Sequence, residues 1–157
     1  MGCAREVTAR MSDLVWATNP RHDALDNLTA YLREQAARQF EGTRISAHLD
    51  FPAEVPDIHV SATFRRNVLL VTKEAINNIV KHAGATMVRI QFQPCSTRLS
   101  LRIEDNGCGF DPWRQNNAGN GLSNMRRRVL DLEGRIDLQS RPGGGTRIEI
   151  CLPWYRS

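Results

Sequence analysis

The sequence predicts an α+β sandwich, and three features support that prediction. Two pairs of short alternating segments are each joined by a turn signal, one at Pro94–Thr97 and one at Pro142-Gly143-Gly144-Gly145. Segments with helical spacing lie before, between and beside them. Read along the chain, the order is helix, helix, strand, helix, strand, strand, helix, strand, strand. Adjacent hairpins with helices between them suit a layered α+β fold and not a doubly wound parallel sheet.

Each element has a local cause. Residues 5–17 are compatible with a helix, which Asn19-Pro20 stops. Leu25, Leu28, Leu32, Gln35 and Ala36 keep helical spacing to about Phe40, with Tyr31 on a neighbouring face, and Gly42 ends the run. From Arg44 to Phe51 the chain alternates, with Ile45, Ala47, Leu49 and Phe51 on the apolar side. Ser61 is placed to cap a long helix reaching about His82, which Gly84 follows. Val88, Ile90 and Phe92 form one strand row, and Leu99, Leu101 and Ile103 another. The stretch from Gly107 to Gly121 reads as a loop, and Leu122 to about Leu132 as a helix. Residues 135–141 and 146–152 form the last hairpin.

Composition narrows the class. The chain has 157 residues, of which 41% are hydrophobic and 24% charged. These are ordinary values for one folded domain and exclude a disordered or low-complexity chain. The longest aliphatic run, Val68-Leu69-Leu70-Val71, is far short of the ~20 residues that span a bilayer, so no membrane segment is expected here. Residues 1–20 are too charged and broken for a secretory signal. Net charge is only +4, so nucleic acid is not an expected partner. Cys3, Cys95, Cys108 and Cys151 are scattered, with no C-x-x-C pair, which suits a reducing cytoplasm and argues against a zinc site or disulfide framework.

The sequence also lacks a P-loop, a dinucleotide fingerprint, a nucleophile elbow and an H-E-x-x-H zinc motif. Four other places carry chemistry. Asp105 continues the buried row Leu99, Leu101, Ile103 and runs into the open turn Asn106-Gly107-Cys108-Gly109. A half-buried carboxylate there suits an exocyclic amine such as that of adenine, or caps its own turn. Thr146 ends the row of Ile148, Ile150 and Leu152 after a glycine triplet, which either admits a ligand to the backbone or simply turns a hairpin. Glu74, Asn78 and Lys81, spaced i, i+4, i+7, share a helix face. A carboxylate and an amide one turn apart can serve a hydrated Mg²⁺, or form a solvated polar face. Gly119-Asn120-Gly121-Leu122 opens a helix whose free N–H groups suit phosphate, with Arg126, Arg127 and Arg128 beyond it, or it is an ordinary glycine-rich entry.

Taken in order, these segments resemble a known family. Thr72 to Ala83 resembles the N box of the GHKL ATP-binding superfamily, and Glu104 to Phe110 resembles its first glycine box. Gly119 to Arg126 is similar to the second glycine box, and Gly143 to Pro153 to the closing strand. The Lys81-His82-Ala83 and Asn124-Met125-Arg126 details resemble bacterial two-component sensor histidine kinases of the NarX/DesK-like class. The junction at 13–33 resembles that class too, so the likeness spans about 13–153.

That resemblance implies a Bergerat fold, a two-layer sandwich with a mixed sheet of about five strands covered on one face by helices. It implies ATP and Mg²⁺ as ligands, Asp105 on the adenine amine with Thr146 assisting through water, and Asn78 on the metal. Glu74 becomes the catalytic acidic residue near the γ-phosphate. Lys81, Gly107, Gly109, Gly119, Gly121 and Leu122 complete the ATP site. Residues 1–20 resemble the tail of a dimerisation and phosphoacceptor helix with its junction, and 21–157 the catalytic domain. His22-Asp23 mimics an acceptor sequence but follows Pro20 at a junction, so His22 is not expected to accept phosphate. An excised, monomeric domain is therefore expected, one that does not autophosphorylate in isolation. Its implied partners are a phosphoacceptor domain and a response regulator with LuxR-type output, on the cytoplasmic side of the inner membrane. Other readings are another GHKL ATPase, an anti-sigma-type serine kinase, or a non-enzymatic nucleotide-binding module. Members of the family often carry glycine where Glu133 stands.

Overall fold

Strand alternation decides which face of the sheet is buried. Val88, Ile90 and Phe92 are fully buried, as are Leu99, Leu101 and Ile103 on the next strand. The intervening residues face the other way and carry charge, including the ion pairs Arg102–Glu149, at 2.8 Å, and Arg147–Glu104. Such solvent-facing pairs contribute at most about 1 kcal/mol each, so the buried rows hold the layers together.

A computed structural model of the chain describes residues 12–111 and 121–154. A short helix α1 covers 12–18, and a 3₁₀ turn follows at Pro20–His22. Then come α2 (Leu25–Phe40), β1 (Ser46–Asp50), α3 (Ala62–Asn78), β2 (Met87–Pro94), β3 (Arg98–Asp105), α4 (Gly121–Asp131), β4 (Arg135–Ser140) and β5 (Thr146–Pro153). The expected helix over 5–17 lies partly outside the described residues. The five strands form one mixed sheet in the order β1-β2-β3-β5-β4. β1 runs parallel to β2, and the other pairs are antiparallel. The α+β two-layer architecture expected from the sequence is the one observed.

The second hairpin enters the sheet through its second strand. β5 lies beside β3, and β4 is left at the edge. Burial gives the reason: Ile148, Ile150 and Leu152 are buried on β5, whereas Ile136 and Leu138 on β4 are only partly so. The more apolar strand takes the interior position. Asp105 consequently lies directly opposite Thr146.

Helix α3 is the central element of the helical layer and packs against both α2 and α4. Ser61 caps it, its hydroxyl accepting from the Phe64 N–H at 3.0 Å. Phe64, Val68, Val71, Ala75 and Ile76 are buried along it. At Ile79–Ala83 the helix widens to π geometry and then stops at Gly84, whose φ is +59°. The helical stretch is as long as the sequence indicates, but its last turn is wider. Residues beyond Ile79 leave the α-helical spacing, and Lys81 is exposed.

Along α3 the junction at 12–22 is tied down by polar contacts. Asp13 is buried, accepts from the Tyr31 hydroxyl at 2.6 Å, and pairs with Lys73. Burial and this hydrogen bond push the Tyr31 phenol above its ordinary range. Trp16 stacks on both Tyr31 and His22. Buried Arg65 donates to the Ala17 carbonyl through Nε (3.0 Å) and Nη2 (2.6 Å), and to the Val60 carbonyl through Nη1. His22 sits in the 3₁₀ turn with its Nδ1 2.8 Å from the Trp16 carbonyl, not in the middle of a helix.

Two stability changes follow from these contacts. Asp13→Asn leaves Lys73 without its anion in a mostly buried setting and is expected to cost about 3 kcal/mol in urea unfolding. At the end of α4, Glu133 has φ +58°, and the N–H groups of Glu133 and Gly134 close a Schellman motif on Leu130 and Val129. Glu133→Gly removes the left-handed strain at the cost of backbone entropy and is expected to raise the unfolding free energy by up to about 1 kcal/mol.

Candidate nucleotide-binding site

Three backbone segments meet at the C-terminal end of β3. The Cys108 N–H donates to the Ala83 carbonyl at the end of the π turn, at 2.7 Å. The Gly143 N–H, from the β4–β5 turn, donates to the Cys108 carbonyl at 2.6 Å. A side chain at Gly107 would overlap the Ala83 carbonyl, and one at Gly109 the Arg141 carbonyl, with Gly109 also at φ +61°. Asn106 pins the same turn from outside. Its Oδ1 accepts from the Thr86 and Met87 N–H groups, both at 2.9 Å.

Next to this junction lies a cleft of about 540 Å³. Ala75, Asn78, Ile79 and His82 line it from the helical side, and Ile103, Asp105, Thr146 and Ile148 from the sheet. Gly109, Phe110 and Leu122 close its rim. The lining is largely apolar with a few converging polar groups, the usual make-up of a small-molecule site. A wider hollow of about 860 Å³ adjoins it over the β4–β5 turn and shares Asp105, Leu138 and Thr146 with it.

Asp105 plays both roles that its sequence context allows. Its Oδ1 accepts from the Gly107 N–H at 2.8 Å, so it caps its own turn, and the residue still lines the cleft. Desolvation raises its pKa above the ordinary carboxylate value, and the Gly107 and Thr146 backbone N–H groups pull partly against that shift. Opposite it, Ser140 Oγ lies 2.8 Å from Thr146 Oγ1 and 3.1 Å from the Gly145 carbonyl. Ser140 Oγ also accepts from the Phe110 N–H at 2.9 Å. Sequence reading passed over Ser140. The parity that singles out Asp105 and Thr146 also marks it, since Ile136, Leu138 and Ser140 form a row ending at the cleft.

On the helical side Asn78 reaches the cleft. Glu74, one turn earlier, lies against the start of α4, where a side chain at Gly121 would overlap its Oε1. A carboxylate at a helix N-terminus is favourably placed against the helix dipole. Among the described residues neither the Glu74 nor the Asn78 side chain makes a hydrogen bond. Two unpartnered oxygen donors one turn apart suit Mg²⁺, which takes few protein ligands when phosphates and water supply the rest. No cluster of three or more His, Cys, Asp or Glu side chains able to hold a metal occurs among the described residues.

The structure therefore brings Asn78, Asp105, Gly109, Leu122 and Thr146 into one cleft, with Gly107 at its base and Glu74 and Gly121 beside each other. Lys81 is not part of the lining, and Gly119 lies outside the described residues. None of Arg126, Arg127 and Arg128 lines the cleft, and Arg128 lies 3.5 Å from Asn67.

The Asp105 shift has a stability consequence of definite sign. Its folded pKa is above its unfolded one, so the folded state holds the proton more tightly and stability falls as pH rises through that interval. Asp105→Asn is expected to match wild type in acid below the carboxylate range and to be more stable at neutral pH. Urea unfolding across that range checks it.

Comparison with known proteins bears on the family and the fold. Residues 65–156 match the family model described as histidine kinase-, DNA gyrase B-, and HSP90-like ATPase. The sensor protein VraS of Staphylococcus epidermidis is 35% identical over 100 residues, covering 64% of this chain and 29% of VraS. VraS of Staphylococcus aureus shows the same identity and coverage. The chain thus spans less than a third of the length of these relatives. Among solved structures, the histidine kinase domain of a blue-light activated histidine kinase from Erythrobacter litoralis aligns with TM-score 0.70 at 21% identity, covering 88% of this chain and 64% of that one. The ATP binding domain of PrrB from Mycobacterium tuberculosis aligns with TM-score 0.61 at 24% identity, covering 85% and 96%. These two likenesses concern the fold, and the family match extends over more than half of the chain. Since that match takes in both the N-box helix and the Asp105–Thr146 pair, the chain belongs to the histidine kinase-, DNA gyrase B- and HSP90-like ATPase family.

Proposed function

We propose that this chain is the ATP-binding catalytic domain of a two-component sensor histidine kinase of the NarX/DesK-like class. The observation that carries the reading is the pairing of Asp105 with Thr146 across β3 and β5, facing Asn78 over an apolar cleft. In this reading the base enters between Ile79 and Ile148, and its exocyclic amine donates to Asp105. Asn78 holds Mg²⁺, which supplies charge neutralisation along the phosphates when bound. The backbone around Gly107, Gly109 and Gly121 leaves room for the nucleotide. Leu122 belongs to the same rim, and Gly119, outside the described residues, is assigned to the ATP site by its motif alone.

Phosphoryl transfer depends mainly on positioning and charge stabilisation. The γ-phosphoryl leaves its bridging oxygen on ADP and passes to a ring nitrogen of a histidine on a separate dimerisation domain. Glu74 orients that imidazole or takes up its proton. In the longer protein the phosphoryl group passes on to a response regulator with LuxR-type output, on the cytoplasmic side of the inner membrane. None of the helices among the described residues is long and apolar enough to cross a membrane.

Titration calorimetry with a non-hydrolysable ATP analogue and Mg²⁺ tests the site. Wild type is expected to bind, and Asp105→Asn to bind roughly 10–100-fold more weakly, as loss of a charge-assisted hydrogen bond predicts. Absence of binding by folded wild type refutes the reading. Phosphotransfer to a supplied histidine hairpin then separates a histidine kinase from other ATPases of the family. It is expected to proceed with wild type and to fall by about 10²-fold or more with Glu74→Gln.

A further inference from the structure

Adjacent residues of α3 serve different neighbours. Lys73 pairs with Asp13 of α1, and both side chains are mostly buried. Glu74 lies against Gly121 at the start of α4. One turn later Asn78 reaches the cleft, with Ala75 and Ile79 also in its lining. A single helix therefore carries both the anchor of the entering segment and the helical wall of the cleft.

The anchor is made at several points. Asp13 also accepts from the Tyr31 hydroxyl at 2.6 Å. Trp16 stacks on Tyr31 and His22 with ring centroids 4.1 and 4.7 Å apart. Arg65, two turns before Lys73 on α3, donates to the Ala17 and Asn19 carbonyls. When residues 12–19 lift away, two cations of α3 lose their oxygen partners in a buried setting. Unpartnered buried charge is costly, so Lys73 and Arg65 must turn towards water, and α3 loses what holds it on that side. No residue of 12–22 lines the cleft, so any effect of this segment on a ligand passes through α3.

We propose that residues 12–22 form a strap whose docking on α3 is coupled to nucleotide binding, with Lys73 as the positioning residue between them. This rests on the nucleotide-site reading above. With the strap docked, Lys73 and Arg65 hold α3 in the setting that presents Asn78 to the cleft. A nucleotide seated against Ala75, Asn78 and Ile79 holds the same setting from the cleft side and so favours the docked strap. Motion that draws the entering segment away lowers nucleotide affinity. By linkage the two effects are one number: nucleotide favours docking by the factor by which docking favours nucleotide.

Hydrogen exchange and calorimetric titration of the 157-residue chain with Mg-ADP read that number twice. In free wild type the amides of residues 16–18 are expected to exchange about tenfold or more faster than that of Ile90, which lies on β2 between two paired strands. Saturating Mg-ADP is expected to slow the strap amides about tenfold. Asp13→Lys sets two cations together and releases the strap. It is expected to leave those amides unprotected and to weaken Mg-ADP by the same factor of about ten. Tyr31→Phe removes one hydrogen bond from Asp13 and stands in if the lysine variant does not fold. Its strap amides are expected to exchange faster than in wild type, with Mg-ADP still slowing them by the wild-type factor. A released strap with unchanged Mg-ADP affinity overturns the proposal and leaves the segment a structural anchor. Strap exchange that Mg-ADP does not slow also overturns it, as does a strap that exchanges only at the Ile90 rate and so has no released state of its own. A folded wild type that does not bind Mg-ADP overturns the site reading itself, and this proposal with it.

Discussion

The contact between the Gly107–Gly109 turn, the end of the α3 π turn and the β4–β5 hairpin turn is backbone against backbone. Cys108 exchanges hydrogen bonds with Ala83 on one side and Gly143 on the other, and no side chain fits between. Because these segments come from three distant parts of the chain, their contact sets the distance between helical layer and sheet at that end. The cleft is the space left beside it, and Asp105, Thr146 and Asn78 reach it because this junction closes where it does.

The rest of the molecule makes that junction rigid from behind. The rows on β2, β3 and β5 bury the sheet against α3 and hold Asp105 at the end of a wholly apolar series. Desolvation of its carboxylate is the physical result, and it is a stability cost kept at the site. The same helix α3 carries contacts of opposite character along its length. Arg65 and Lys73 bind the junction around 12–19 through buried polar contacts, while the side chains of Glu74, next to Lys73, and Asn78, which lines the cleft, make no hydrogen bond among the described residues. One rigid helix therefore joins the entering segment to the candidate site.

Much of the site was legible before the structure because strand and helix periods are physical. A period of two put Asp105 and Thr146 at the ends of apolar rows, and helical spacing put Glu74 and Asn78 on one face. Lys81, the third residue of that helical spacing, does not line the cleft. Its spacing assumed an α-helix through residue 81, whereas the helix takes π geometry from Ile79. Ser140 was legible in principle, as the polar end of the β4 row. The sequence showed no reason to weigh it, since its role depends on groups from the turn at Phe110 and from β5.

By itself the sequence determined the element types and order, the buried rows, the turns, and the family motifs at Thr72–Ala83, Glu104–Phe110 and Gly143–Pro153. These depend on local spacing and on residues near one another in the chain. Only the tertiary structure decided that the last hairpin enters through β5 and not β4. That choice turns on the relative burial of two strands, a competition for the interior that pairs of distant segments settle together. It places Thr146 opposite Asp105, and with them Ser140, whose three hydrogen bonds join parts of the chain that share no local pattern.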